Sequence, residues 1–146
     1  MELVKPHQDG AKKEEKSELR PYRVFVYGTL KRGYGNHERI LKDAVFLGKA
    51  RTNTKWTMIG KDMGYPYVVE QDHVKGNHVV GEVFAVNREE LKALDILEGV
   101  PHHYKKVTIN INYEDDNSVD TVGMYVKAYV SDSVYKGKEI ITEWVA

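Results

Sequence analysis

The sequence has no cysteine, only two tryptophans and four prolines, and no surplus of charge of either sign. Each shortage excludes something. Without cysteine there is no disulfide framework, no cysteine–zinc site and no thiol nucleophile. Basic and acidic residues balance at 22 each, so no bulk attraction to nucleic acid or to an anionic membrane follows, and neither is expected as a partner. No run approaches the roughly 18 apolar residues of a membrane-spanning helix, and the N-terminus carries no hydrophobic signal region. The expectation is a soluble protein of the cytoplasm. What is present is a chain of 146 residues, 41% hydrophobic, which suffices for one domain with its own core.

Residues 1–19 are dense in lysine and glutamate and show almost no apolar periodicity, so they read as a flexible charged N-terminal tail. A single domain is expected from 20 to 146. Strand signals dominate it. Arg23–Tyr27 is β-branched and aromatic, and Gly28 ends it. Val45–Ala50, Thr52–Ile59, Tyr67–Glu70 and Val79–Val86 follow as further strands, punctuated by Gly64–Pro66 and Lys75–Asn77. Lys106–Tyr113 and Asp120–Val130 alternate strongly and flank the polar run Glu114–Ser118, the pattern of an antiparallel hairpin. Tyr34–Lys42 is expected as a short helix with Ile40 and Leu41 inward. Many strands with two or three short helices predict an α+β domain with a curved or closed sheet.

The clearest helix is Arg88–Glu98. Asn87 suits the N-cap, Glu90 can return a capping bond, and Gly99 and Pro101 stop the run. At roughly 100° per residue, with Leu91 at zero, Leu94 falls near 300°, Leu97 near 240° and Glu98 near 340°. Glu98 therefore interrupts the apolar stripe between Leu91 and Leu94. Desolvation and the negative end of the helix dipole both raise the pKa of such a carboxylate and suit it to proton transfer near neutrality. Two readings stand side by side: a buried general acid/base, or a helix-end residue that reaches solvent or pairs with Lys105. Asp95, near 40°, sits at the edge of the stripe.

A second constellation is Tyr27-Gly28-Thr29-Leu30, followed by Lys31-Arg32-Gly33-Tyr34-Gly35-Asn36-His37. A strand running into glycine lets backbone N–H groups face a ligand with no side chain between. Neither the GxxxxGK[ST] nor the GxGxxG spacing is present, so a nucleotide-phosphate loop and a dinucleotide fingerprint are excluded. An ordinary strand-to-helix turn is the alternative reading.

Three further stretches complete a pattern: Gly81-Glu82-Val83-Phe84-Ala85-Val86, then Leu94-Asp95-Ile96-Leu97-Glu98-Gly99, then Tyr104. Together with Val26–Gly33 and Asn36-His37, in this order and spacing, they resemble the gamma-glutamylcyclotransferase-like superfamily, most closely its gamma-glutamylamine cyclotransferase branch. The resemblance implies a small mixed β-barrel with a few short helices packed outside. It implies conversion of a γ-glutamyl amine, amino acid or peptide to 5-oxoproline, in which the substrate's own α-amino group attacks its γ-carbonyl. No metal or other cofactor is implied. Glu98 matches the family's catalytic glutamate, and Tyr27, Gly28, Thr29 and Leu30 match the loop that holds the glutamyl head. The family often carries arginine two residues after the tyrosine; here the position is Lys106.

Tyr104 is a candidate for bonding substrate or orienting Glu98, and Asn36 for tying the binding loop together; packing and turn formation are their plainer roles. Glu82 reads as an outward strand residue or a second ionisable group in the pocket. His102 and His103 are adjacent, and His73 and His78 lack helical zinc-pair spacing, so no metal site is expected. A non-catalytic small-molecule binder and an interaction module recruited through the tail are the competing classes. A carboxylate on the apolar stripe favours the enzyme, since a mere binder has no need of it.

Overall fold

The computed structural model describes residues 19–60, 65–70, 76–128 and 138–144. The expected tail lies almost wholly outside them. Among the described residues, seven strands and two short helices run in the order β1 (Tyr22–Val26), a one-turn π-helix (His37–Leu41), β2 (Val45–Thr52), β3 (Thr57–Ile59), β4 (Tyr67–Val69), β5 (Val80–Val86), α1 (Arg88–Leu97), β6 (Tyr104–Tyr113) and β7 (Val119–Lys127).

All seven strands form one sheet in the order β1-β5-β2-β6-β7-β4-β3. A further pairing of β1 with β7 closes the first five strands into a barrel, with β4 and β3 appended beyond β7. The β1–β7 and β4–β7 pairings are parallel and the others antiparallel, so the barrel is mixed, as the resemblance implied.

The closed barrel buries both faces of its β5–β1–β7 wall. Phe25, Val83, Ala85, Met124 and Val126 point into the barrel core. The alternate residues Val24, Val26, Phe84, Val86 and Tyr125 point outward, into a second core shared with Leu41 and Leu94. A strand buried on both faces needs no polar alternation, and so Arg23–Tyr27 reads as a nearly continuous apolar run. The helices cover this outer wall.

The helix α1 begins as expected: the Asn87 side chain accepts from the Glu90 amide, and Glu90 accepts from the Asn87 amide, both at 2.8 Å. Glu90 also takes a bidentate pair of bonds from Arg20. The chain leaves the helix through Gly99 at φ +63°, a conformation that a side chain disfavours.

Three expectations shift. Thr52–Ile59 is not one strand. The Thr52 hydroxyl turns to the Thr54 carbonyl at 2.6 Å, the Asn53 amide bonds Asn110, and pairing resumes with an isolated bridge of Trp56 to Asn77 before β3 begins at Thr57. The helix expected over Tyr34–Lys42 shrinks to His37–Leu41. Successive tight turns from Gly28 to His37 occupy the chain before it, and the Asn36 side chain makes no capping bond. The β6–β7 hairpin forms through the polar turn, but β6 starts two residues early, at Tyr104, which pairs with Lys127. Residues 129–130 of the expected last strand lie outside the described ones.

Leu94 is fully buried between α1 and the barrel wall, one turn before the helix end. Leu94→Ala is expected to lower unfolding free energy by about 2–5 kcal/mol, read as a shifted midpoint in chemical denaturation.

Candidate active site

The β1 strand ends at Val26, and the next four residues, Tyr27 to Leu30, curve across the end of the β1–β7 seam. The Tyr27 phenol is buried and fixed twice: it donates to the Tyr125 carbonyl at 2.8 Å and accepts from the Val68 amide at 3.2 Å. Burial pushes its pKa far up, so it stays neutral. One side chain thus pins the loop to β7 and β4 together.

Beyond it the loop is self-bonded on one side only. The Lys31 amide closes a turn on the Gly28 carbonyl, Asn36 donates to the Thr29 hydroxyl at 2.8 Å, and His37 bonds the Leu30 carbonyl. Among the described residues the amides of Gly28, Thr29 and Leu30 meet no acceptor. Gly28 lies against the Pro66 ring, where a Cβ would sit 3.0 Å from Cγ. The absent side chain lets Pro66 close the loop's flank.

Glu82 is not part of the cavity. Its carboxylate accepts from the Arg32 amide at 2.8 Å and approaches the Arg32 guanidinium at 3.5 Å, while that guanidinium covers the Phe46 ring. It braces the loop from behind, through a neighbouring strand.

Glu98 is the C-cap of α1, held by its amide to the Leu94 carbonyl at 2.9 Å. Its side chain lines a cavity of about 330 Å³ together with Tyr27, Gly28, Thr29, Leu30, Asn36, Tyr65, Pro66, Leu97, Tyr104 and Tyr125. That volume suits a metabolite-sized ligand. The seven residues singled out in the sequence thus line one space, although 71 positions separate Tyr27 from Glu98. Lys105 does not pair with Glu98; it reaches Glu70 at 2.6 Å. Burial raises the Glu98 pKa to about 7, and the nearby charge of Lys127 acts in the opposite direction.

Two tyrosines complete the wall. The Tyr125 hydroxyl donates to Asp95 at 2.5 Å, and Lys106 grips the same carboxylate at 3.1 and 3.3 Å. Lys106, the departure from the family pattern, therefore serves Asp95, which stays behind the wall. Burial first, then the Asp95 bond, pushes the Tyr125 pKa well up. Burial and the charge of Glu98 do the same for Tyr104. Both phenols are neutral donors at physiological pH.

The sequence reading missed Tyr65, Pro66, Leu97 and Tyr125. Tyr125 had a visible signal: in β7 it occupies the parity of Thr121, Gly123 and Lys127, opposite the apolar Val122, Met124 and Val126. A large aromatic on the polar parity marks a covered outer face.

Among the described residues no three His, Asp or Glu side chains come close enough to hold a metal ion, and no helix is long and apolar enough to cross a membrane.

The family model for gamma-glutamyl cyclotransferase, AIG2-like, matches residues 24–144. The chain belongs to this family. The gamma-glutamyl cyclotransferase assignment makes it an enzyme of that type. It is 32% identical to the human gamma-glutamylaminecyclotransferase over 129 residues, covering 83% of this chain and 82% of that protein. The rat protein of the same name is 29% identical over 127 residues, 84% and 82% of the two chains. In three dimensions the crystal structure of an AIG2-like protein from Mus musculus superposes with a TM-score of 0.74 at 24% identity, over 85% of this chain and 88% of that one. That likeness establishes the shared barrel of the cyclotransferase family.

The raised pKa of Glu98 fixes a pH signature of stability. Between the ordinary glutamate pKa and about 7, the folded cyclotransferase holds a proton that the unfolded chain has released. Folding is then opposed increasingly as pH rises through this window, and the penalty is constant above it. Glu98→Gln removes the ionisation. In denaturation at pH 8 the variant is expected to exceed the wild type by up to about 3 kcal/mol, with the gap vanishing toward pH 4.5.

Proposed function

We propose that the chain converts a γ-glutamyl amine, amino acid or peptide to 5-oxoproline and releases the amine, with Glu98 as general acid/base. The observation that carries this reading is one cavity with a proton-shuttling carboxylate on one wall and unpartnered backbone donors on another. A cyclisation of this kind needs those two things and a folded substrate.

The steps follow from the groups present. The α-ammonium of the substrate gives a proton to Glu98. The freed amine attacks the γ-carbonyl carbon and forms the ring C–N bond. Negative charge gathers on the carbonyl oxygen, where the amides of Gly28, Thr29 and Leu30 can donate to it. As the tetrahedral adduct collapses, the bond to the leaving nitrogen breaks and Glu98 returns its proton there; the regenerated carboxylate then takes the second proton of the ring nitrogen and passes it to the departing amine, which leaves as an ammonium. A glutamate with pKa about 7 suits both directions of transfer. Tyr27 and Asn36 hold the loop in shape, and the neutral phenols of Tyr104 and Tyr125 border the reacting atoms without competing for protons.

Release of 5-oxoproline from a panel of γ-glutamyl amines, amino acids and peptides tests the reading. Glu98→Gln is expected to lose at least about 10²–10⁴-fold in turnover of the best substrate while still binding 5-oxoproline. Asp95→Asn is expected to lose less, because Asp95 acts only through Tyr125 and Lys106. A Glu98→Gln protein as active as the wild type would remove the carboxylate from the mechanism. In the wild type, kcat/KM is expected to rise with pH through about 7 as Glu98 becomes able to accept a proton.

A further inference from the structure

The basic side chains around the cavity differ in what they hold. Arg32 is committed to Glu82, Lys105 to Glu70 and Lys106 to Asp95. Lys31 is buried and donates to the Trp144 carbonyl at 2.5 Å. Lys127 is different. Among the described residues it forms no ion pair, and its ammonium lies over two aromatic faces, 5.0 Å from the Tyr104 ring centre and 5.6 Å from that of Tyr67.

Its place in the sheet explains its orientation. Lys127 follows Tyr125 by two residues in β7, so both occupy the same face of the strand. Tyr104 is its direct partner across the β6–β7 ladder, and Val69 its partner in β4. Tyr67 precedes Val69 by two and shares that face. Lys127 therefore stands beside Tyr104 and one step beyond Tyr125, both of which line the cavity. Its charge is felt at Glu98, yet the two side chains do not bridge. Tyrosine faces stabilise a cation without neutralising it, so the charge remains available to an anion.

The cavity thus has Glu98 in its lining, and the ammonium of Lys127 lies against Tyr104, another lining residue, without bridging to the carboxylate. The α-carbon of a γ-glutamyl group carries the complementary pair, an ammonium and a carboxylate. We infer that Lys127 is the carboxylate-recognition residue of this cavity and takes the α-carboxylate of the glutamyl head while Glu98 faces the ammonium. The inference rests on the cyclotransferase reading and adds to it the group that orients the substrate. It leaves the loop amides free for the γ-carbonyl oxygen, where charge develops. A carboxylate on the leaving group has the same chemistry, and ligand choice separates the two sources.

Calorimetric Kd values for 5-oxoproline with the wild type, Lys127→Met and Lys127→Arg test the assignment. The Met variant keeps the stem against the two rings and removes the charge. It is expected to weaken binding about 10- to 100-fold, whereas Arg stays within about threefold of the wild type. Two intact substrates, γ-glutamyl-alanine and γ-glutamyl-ethylamine, are then compared in Glu98→Gln proteins with and without Lys127→Met. Equal losses on both place Lys127 at the α-carboxylate. A loss confined to γ-glutamyl-alanine keeps a carboxylate site but overturns the α-carboxylate assignment. If Lys127→Met binds every ligand as tightly as its parent, the inference fails and the cyclotransferase reading stands. If the wild type neither binds 5-oxoproline nor releases it from any γ-glutamyl compound, both fail together.

Discussion

The parallel seam between β1 and β7 is the constraint on which the remaining geometry depends. Val24 pairs with Gly123 and Phe25 with Met124, strands nearly a hundred residues apart. Without this seam the sheet is an open ribbon with β1 at its edge, and Tyr27 has neither the Tyr125 carbonyl nor the Val68 amide to bond. Closure satisfies the edge of β1 and carries the loop after it to the one place where β7, β4 and the end of α1 converge. The cavity is a by-product of how the barrel closes, and its walls come from elements whose cores are elsewhere.

Against that frame Glu98 is a local conflict that the fold tolerates. Folding draws a carboxylate into a partly dry site and offers it no partner among the described residues. The helix nevertheless seats itself, because Leu94 is fully buried a turn earlier and the capping box secures the other end. The same helix supplies a second carboxylate, Asp95, which the fold does satisfy, with Tyr125 and Lys106. Two acids three residues apart are thus held in opposite states: one bonded and structural, one desolvated and chemically available. Environment, not residue type, separates their roles.

What was legible in the sequence follows from what is local. A strand meeting glycine at Gly28, and a carboxylate on the wrong face of an amphipathic helix at Glu98, are statements about neighbours along the chain, and both survive in three dimensions. The hairpin of β6 and β7 was readable for the same reason. The strand break after Thr52 was not, because it is fixed by bonds to Val79 and Asn110, far away in the chain. Tyr125 and Pro66 were missed as cavity residues because their places there exist only once β7 has paired with β1, β6 and β4. The role of Glu82 as a brace behind the loop likewise appears only when β5 lies beside β1.

The order in which the chain leaves the ribosome gives the closing strand a temporal meaning. β1 precedes β5 and can pair with it before β7 is made, but its other edge stays open until β7 has emerged. Lys31, buried in the finished protein, acquires its carbonyl partner only when Trp144 arrives. Contacts of such long sequence separation form late, since the loop entropy comes before the reward. A chain not yet extended to β7 can therefore contain the Tyr27–Leu30 loop and the whole of α1 and still possess no cavity. The cavity is acquired in one step with the closure of β7 on β1 that completes the barrel.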